Sequence, residues 1–264
     1  MRITLAHETR YAYEQPSRYT IQALKLTPAS FVGQKLISWR IDVPGMEKAG
    51  RFRDAFGNLV HLVSQVGELS ELAIRVAGEV ETTDVGGVVQ GLPETSPPRV
   101  FLRFTRQTQA DEAILALAHQ ARARDRLELL HRLSAGLREA LDYRAGSTAA
   151  HTTAAEALAE GYGVCQDHAH LFIAAARALD IPARYVTGYL VTDNAADAHH
   201  AWAEAHVENL GWVGFDVANR ICPTENYVRL ACGLDAWHAA PVRGSRRGGG
   251  AESLAVHVEV SAQQ

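Results

Sequence analysis

Along this chain the spacing of apolar residues changes once, from steps of two to steps of three and four, and that change limits the fold to a sheet-rich part followed by a mixed part. In the first part short stretches alternate apolar and polar side chains between turn residues, as in Ile37-Ser38-Trp39-Arg40-Ile41-Asp42-Val43 followed by Pro44-Gly45. Alternation with period two is the mark of a strand with one buried face. Similar segments lie near Ile3 to Tyr13, Tyr19 to Leu26, Leu59 to Val63 and Leu72 to Val80, and together they predict a small antiparallel β domain. The stretch Leu92-Pro93-Glu94-Thr95-Ser96-Pro97-Pro98 marks the change. From Ala110 to Leu141 the spacing is helical, with Ile114, Leu117 and Ala118 on one face and then Leu127, Leu130, Leu133, Leu137 and Leu141. The expected fold class is α+β, with a β-rich domain over residues 1–100 and a second domain over 101–264.

The second domain carries more specific signals. Thr153 with Glu156 three residues on has the form of a capping box, and Gly161 and Gly163 end the short helix it opens. A further helix is predicted from about Val164 to Leu179, with Leu171, Phe172, Ala175 and Leu179 as its buried stripe and Asp180-Ile181-Pro182 as its stop. Cys165 then falls in the first turn. Strands are expected at Ala183 to Thr192, Ala201 to Val207 and Trp212 to Phe215, the last two joined by the turn Glu208-Asn209-Leu210-Gly211. Leu254, Val256, Val258 and Val260 alternate and are expected to close that sheet as a final strand.

Composition excludes several classes. With 264 residues and 47% hydrophobic content the chain buries one large core or two moderate ones. No stretch reaches the roughly 18 apolar residues of a membrane span, and Met1 to Pro16 alternates where a signal peptide would be continuously apolar, so the expected location is the cytoplasm with no membrane partner. A net charge of -4 argues against nucleic acid as a partner, and the basic run Arg243 to Arg247, leading into Gly248-Gly249-Gly250, reads as a solvated flexible loop. Three cysteines without CxxC spacing make a disulfide framework improbable and leave at least one thiol free.

Cys165 is the residue on which chemistry is expected. At a helix N-terminus, unpaired N–H groups and the positive end of the dipole favour a thiolate, and the same N–H groups stabilise the oxyanion formed when it attacks a carbonyl. His200, just before the strand Ala201 to Val207, can act as general base, and Asp216, at the end of the returning strand, can orient the histidine.

The segments Gly161-Tyr162-Gly163-Val164-Cys165-Gln166-Asp167, His200-Ala201-Trp202-Ala203-Glu204 and Gly211-Trp212-Val213-Gly214-Phe215-Asp216 resemble, in that order, the motifs of the bacterial transglutaminase-like superfamily. The resemblance implies a papain-like thiol core with the cysteine helix packed on an antiparallel sheet, and a catalytic triad of Cys165, His200 and Asp216. Asp54-Ala55-Phe56-Gly57-Asn58 and its surroundings resemble the β-rich domain that precedes the core in many bacterial members. His168 departs from the aromatic residue expected after Gln166-Asp167, and His199 from the small residue that often precedes the catalytic histidine.

Three other readings compete. Cys165, Asp167, His168 and His170 with His199, His200 and His206 offer soft and imidazole ligands for zinc, but residues two and three apart on a helix do not all point one way and no HExxH or paired CxxC appears. His170 and Tyr143 could serve the site, yet each reads better as a packed structural residue, as do Trp202, Trp212 and Tyr189; Cys222 and Cys232 read as structural residues of a loop-like region. A binding module that keeps the fold without the chemistry is the third. The expected function is cleavage or transfer of a peptide, isopeptide or glutamine amide through a thioester on Cys165, with hydrolysis favoured over acyl transfer. No cofactor or metal is expected, the expected partner is an amide-containing substrate, and pocket shape is assigned to loops such as Asp193 to Ala198.

Overall fold

The alternating N-terminal stretches fold into strands longer than the sequence segments suggest. In the computed structural model, which describes residues 1–192 and 199–263, the chain opens with β1 (Arg2–Leu24), β2 (Gln34–Asp42), β3 (Gly50–Arg53) and β4 (Leu59–Thr82). β1 and β4 pair antiparallel from Arg2 against Glu81 to Leu24 against His61. The segments read as Ile3 to Tyr13 and Tyr19 to Leu26 are two halves of β1, and those read as Leu59 to Val63 and Leu72 to Val80 are two halves of β4. The pairing is irregular on either side of Ser17, next to Pro16 and opposite the Gly67 region of β4. A proline without an N–H is tolerated at such a bulge, so these residues bend the strands without ending them. Ile3, Leu5, Leu72, Ile74, Val76 and Val80 form the buried face.

The remaining elements, which build a second sheet with its helices, a two-stranded parallel pair of β6 with β7 and the end of the chain, are β5 (Val88–Val89), α1 (Glu112–Gln120), α2 (Arg126–Ala140), β6 (Asp142–Tyr143), α3 (Ala154–Glu160), β7 (Tyr162–Gly163), α4 (Cys165–Ala178), β8 (Ala183–Leu190), β9 (His199–Val207), β10 (Gly211–Phe215), β11 (Tyr227–Gly233), α5 (Ala236–Ala239), β12 (Val242–Gly248) and β13 (Glu252–Gln263). Asp111 and Asp125 cap α1 and α2 by accepting from the N–H groups of Ile114 and Glu128. The Thr153/Glu156 capping box opens α3, which ends at Gly161 in the left-handed region. α4 is buried on all sides from Asp167 to Arg177, not only along the expected stripe, because β8, β9, α1, α2 and α3 all pack around it. Small residues permit this approach: Ala183, Ala201, Ala203 and Ala205 of the sheet meet Ala169, Ala174 and Ala176 in one core. Among the described residues no helix is long and apolar enough to cross a membrane.

The sheet order is β11-β8-β9-β10-β5, antiparallel in every pair. The C-terminal expectations need correcting. Arg243 to Arg247 lie in β12, paired with β1 through Ala23 against Arg243 and Tyr19 against Arg247, so they form an edge strand and not a flexible loop. Leu254 to Val260 lie in β13, which also pairs with β1, and so completes the first sheet instead of closing the second. β5, from within the first hundred residues, pairs with β10 of the second sheet. The division at residue 100 therefore does not divide the sheets, which exchange strands in both directions. Alternation reports that a strand has one buried face; it does not report which sheet supplies the partner.

The two sheets also share side chains. Tyr189, Val228 and Leu230 of the second pack with Ile3, Leu5 and Val258 of the first. Glu204, fully buried on β9, accepts from Arg184 of β8 at 2.5 Å and Arg229 of β11 at 2.7 Å. Burial alone would raise its pKa; the two guanidiniums outweigh that and hold it at about 2. Replacing Glu204 by Gln leaves two buried guanidiniums without their counter-charge, and should destabilise the fold by about 3–5 kcal/mol. Urea unfolding of the variant checks this, and an unchanged midpoint would contradict it.

Candidate active site

Cys165 is the first residue of α4, and the local sequence explains how the chain gets there. Gly161, with φ of 75°, turns the chain out of α3, and Val164 stands at the helix cap with no side-chain acceptor to offer. Asp167 supplies one: its Oδ2 accepts from the Val164 N–H at 2.8 Å and from the Thr148 hydroxyl at 2.5 Å. Burial pushes the Asp167 carboxyl up, against the pull of these two donors. Gly163 leaves room for that carboxylate, since a Cβ there would stand 2.7 Å from Asp167 Cβ. The N–H groups of Asp167 and His168 turn back to the Val164 carbonyl at 3.0 and 3.2 Å. Cys165 itself is half-buried.

His200 lies at the start of β9, opposite Gly188, and its ring stacks on Trp202 with centroids 6.4 Å apart. Its Nε2 is 2.6 Å from Asp216 Oδ2 and it hydrogen-bonds Cys165, which leaves Nδ1 as the nitrogen for sulfur. Asp216 follows β10 and is fixed by a bridge to Ile221. Its Oδ2 also accepts from Tyr227 Oη and Asn219 Nδ2, each at 2.7 Å, and its Oδ1 from the Asn219 N–H at 3.2 Å. Burial works to raise the Asp216 pKa, but His200, Tyr227 and Asn219 outweigh it and the value falls below the ordinary one. Burial likewise opposes charge on His200, yet the hydrogen bonds and negative charge of Asp216 and Cys165 raise its pKa from 6.5 to about 10. The structure thus brings Cys165, His200 and Asp216 into one hydrogen-bonded chain, in which the imidazole holds its proton.

Asn219 and Tyr227 are the residues that sequence reading missed. Asn219 had a faint signal, lying three residues after an aspartate in a turn. Tyr227 had none, because β11 carries no alternation.

The remaining candidates are engaged elsewhere. The ring nitrogens of His168 lie 2.9 Å from Val164 O and 3.0 Å from Leu141 O. His170 Nε2 accepts from the Ala236 N–H at 3.0 Å, and His206 packs edge-on against Trp212. Tyr143 has its ring 6.1 Å from that of His168. Among the described residues no three His, Cys, Asp or Glu side chains converge as metal ligands. Cys232 is not in a loop but buried in β11, with its thiol on Phe56 O. Burial and Asp84 push the half-buried Cys222 thiol up. The segment 193–198, to which pocket shape was assigned, lies outside the described residues.

Comparison with known proteins gives a consistent picture. Residues 115–217 match the model of the transglutaminase-like superfamily, and residues 3–81 match that of the bacterial transglutaminase-like N-terminal region. An uncharacterised protein of Mycobacterium leprae is 30% identical over 276 aligned positions, covering 98% of each chain. An uncharacterised protein of Mycobacterium tuberculosis is 27% identical, over 92% of this chain and 87% of its own. A crystal structure of a protein from Cytophaga hutchinsonii, provisionally described as a cysteine protease, superposes with a TM-score of 0.77 at 25% identity, covering 99% of this chain and 90% of that one.

The electrostatics of the site are open to direct measurement. His200 contributes stability that is complete below its ordinary pKa of 6.5 and is lost as pH rises through about 10. The histidine NMR signals should therefore include one imidazole that stays protonated through neutral pH, and stability should fall over that window more in the native protein than in His200→Gln. An imidazole signal set in which every ring titrates at or below its ordinary value would contradict the assignment.

Proposed function

Since the chain belongs to the transglutaminase-like superfamily, we propose that it is a thiol enzyme that cleaves amides, with Cys165 as nucleophile, His200 as acid and base, and Asp216 as the residue that orients His200. The observation that carries this reading is His200 standing between Cys165 and Asp216, with Nε2 held by the carboxylate and Nδ1 left for sulfur.

In the proposed reaction His200 already holds the proton on Nδ1, and the Cys165 sulfur, as the thiolate of that pair, attacks the amide carbonyl carbon. The oxygen of the tetrahedral intermediate takes the negative charge, and the N–H groups of Cys165 and Gln166, which point out of the start of α4, are placed to donate to it. The C–N bond breaks as His200 gives its proton to the departing nitrogen, leaving a thioester on Cys165. Water then gives a proton to His200 and its oxygen to the carbonyl carbon, the C–S bond breaks to release the thiolate, and His200 keeps the proton for the next cycle. The products are an amine and a carboxylic acid. An amine in place of water would give a new amide by the same steps.

Asp216 carries no proton in this scheme. It holds the ring in one tautomer, and Tyr227 and Asn219 hold Asp216. The substrate class is a peptide, isopeptide or glutamine side-chain amide.

The test is to mix the protein with a panel of such amides, quench in acid and read the intact mass. A population heavier by the acyl group, mapped to Cys165, is expected. Cys165→Ala should lose turnover by several orders of magnitude while keeping its circular dichroism. Added amine competes with water if transfer contributes. Turnover that survives Cys165→Ala, or the absence of any acyl adduct and any product across the panel, would refute the reading.

A further inference from the structure

An open cavity of about 530 Å³ lies between the two sheets, close to His200 but distinct from the three residues assigned to the chemistry. That volume falls within the roughly 300–1,000 Å³ of sites that bind small molecules or side chains. Its floor consists of three cross-strand pairs between β1 and β13: His7 with Val258, Thr9 with Val256, and Tyr11 with Leu254. His199, the residue next to His200, forms a wall.

Strand β8 shows where this cavity stands relative to Cys165. Its odd-numbered side chains share one face. The Ala183 carbonyl takes a hydrogen bond from Arg177, near the C-terminal end of α4, at 2.8 Å. Tyr185 lies against the ring of His170, half-way along α4, at 5.1 Å, and its hydroxyl is raised by burial first and then by Cys165 and Asp167. Thr187 Oγ1 meets His199 Nε2 at 3.3 Å, and Tyr189 Oη meets His7 Nδ1 at 2.8 Å. Along this face, at about 3.3 Å per residue, one passes the C-terminal end of α4, then its nucleophile end, then enters the cavity. Two residues of an extended peptide cover that last step, at about 3.3–3.6 Å each.

The lining has a definite chemistry. Among the described residues no Asp, Glu, Lys or Arg contributes to it. His7, buried, is uncharged at neutral pH, since burial lowers its pKa to about 4, helped by His199; burial of its ring and the neighbouring His200 lower His199 as well, while its side chain keeps an exposed surface on the cavity. Leu254 and Val256 leave 57% and 52% of their surface exposed, while Val258 on the same face is only 6% exposed. The third lining histidine, His257, stands at the rim and is paired with Glu259 at 3.0 Å; the apolar floor inside it favours an uncharged apolar group and penalises a charged one, which would lose its water there without a counter-charge of its own.

Resting on the reading of Cys165 as nucleophile, we propose that this cavity binds an apolar or aromatic side chain of the substrate peptide beside the amide attacked by Cys165, so that β1 and β13 of the first sheet select substrates for chemistry on the second.

The experiment uses thiol-alkylating peptidyl chloromethyl ketones with Leu, Phe, Glu or Lys near the reactive carbon, each rate being divided by the rate of iodoacetamide, which is too small to need the cavity. The native protein should prefer the Leu and Phe probes over Glu and Lys by roughly 10-fold or more, as expected when a side chain fills an apolar pocket. Val256→Glu should abolish that preference and favour the Lys probe; Leu254→Glu, on the same exposed floor, serves as the second variant. Equal normalised rates for all four probes in the native protein, or an unchanged preference in both variants, would overturn the inference. A native dimer that Val256→Glu dissociates would assign the face to a second copy of the chain and overturn it as well. If iodoacetamide reacts with Cys165 no faster than with Cys222 and Cys232, the functional reading itself fails, and that outcome is distinct from a lack of probe preference.

Discussion

The site depends on the 2.6 Å hydrogen bond between His200 Nε2 and Asp216 Oδ2. Without it the imidazole would be a buried neutral ring, because burial alone lowers its pKa. With it, the ring holds a proton in an environment that otherwise excludes charge, and its other nitrogen is left for Cys165. The carboxylate can play this part because His200 first, and then the donors of Tyr227 and Asn219, outweigh burial and keep it ionised. Three elements therefore determine one proton: the loop after β10, the start of β11, and the start of β9.

The rest of the fold keeps those elements in register. α4 delivers Cys165 to the same place because alanines on β8 and β9 let the helix lie close to the sheet, and because Asp167 ties down the residue before the cysteine. The buried Arg184–Glu204–Arg229 group joins β8, β9 and β11 behind the site. The first sheet is not a detachable neighbour: the chain crosses back to it after α5, and its long central strand β1 packs against Tyr189 and Val228 of the second. In the proposed reading one sheet carries the nucleophile and the other shapes what reaches it.

How much of this was legible in the sequence depended on the kind of signal. The helices were readable because periodicity and caps agree, as at Thr153 with Glu156, and the position of Cys165 followed from the glycines before α4. The three residues proposed for the chemistry were named from their motifs and their places at element ends, and the structure brings them together. β11 was not, because all of Tyr227–Gly233 is buried and an alternating pattern needs one solvated face. Tyr227 was lost with it. β12 was mistaken for a loop because its arginines and glycines suggest solvent, yet an edge strand also keeps its side chains wet while its backbone pairs. β13 was recognised as a strand and given to the wrong sheet, since long-range pairing leaves no mark in local alternation.

The measurement that bears most directly on the account is the rate at which iodoacetamide labels each cysteine between about pH 5 and pH 9, in the native protein and in His200→Ala. The account predicts that Cys165 reacts much faster than Cys222 and Cys232 below neutral pH, and that this advantage disappears without His200. Similar rates at all three cysteines, or an advantage for Cys165 that survives in His200→Ala, would contradict it.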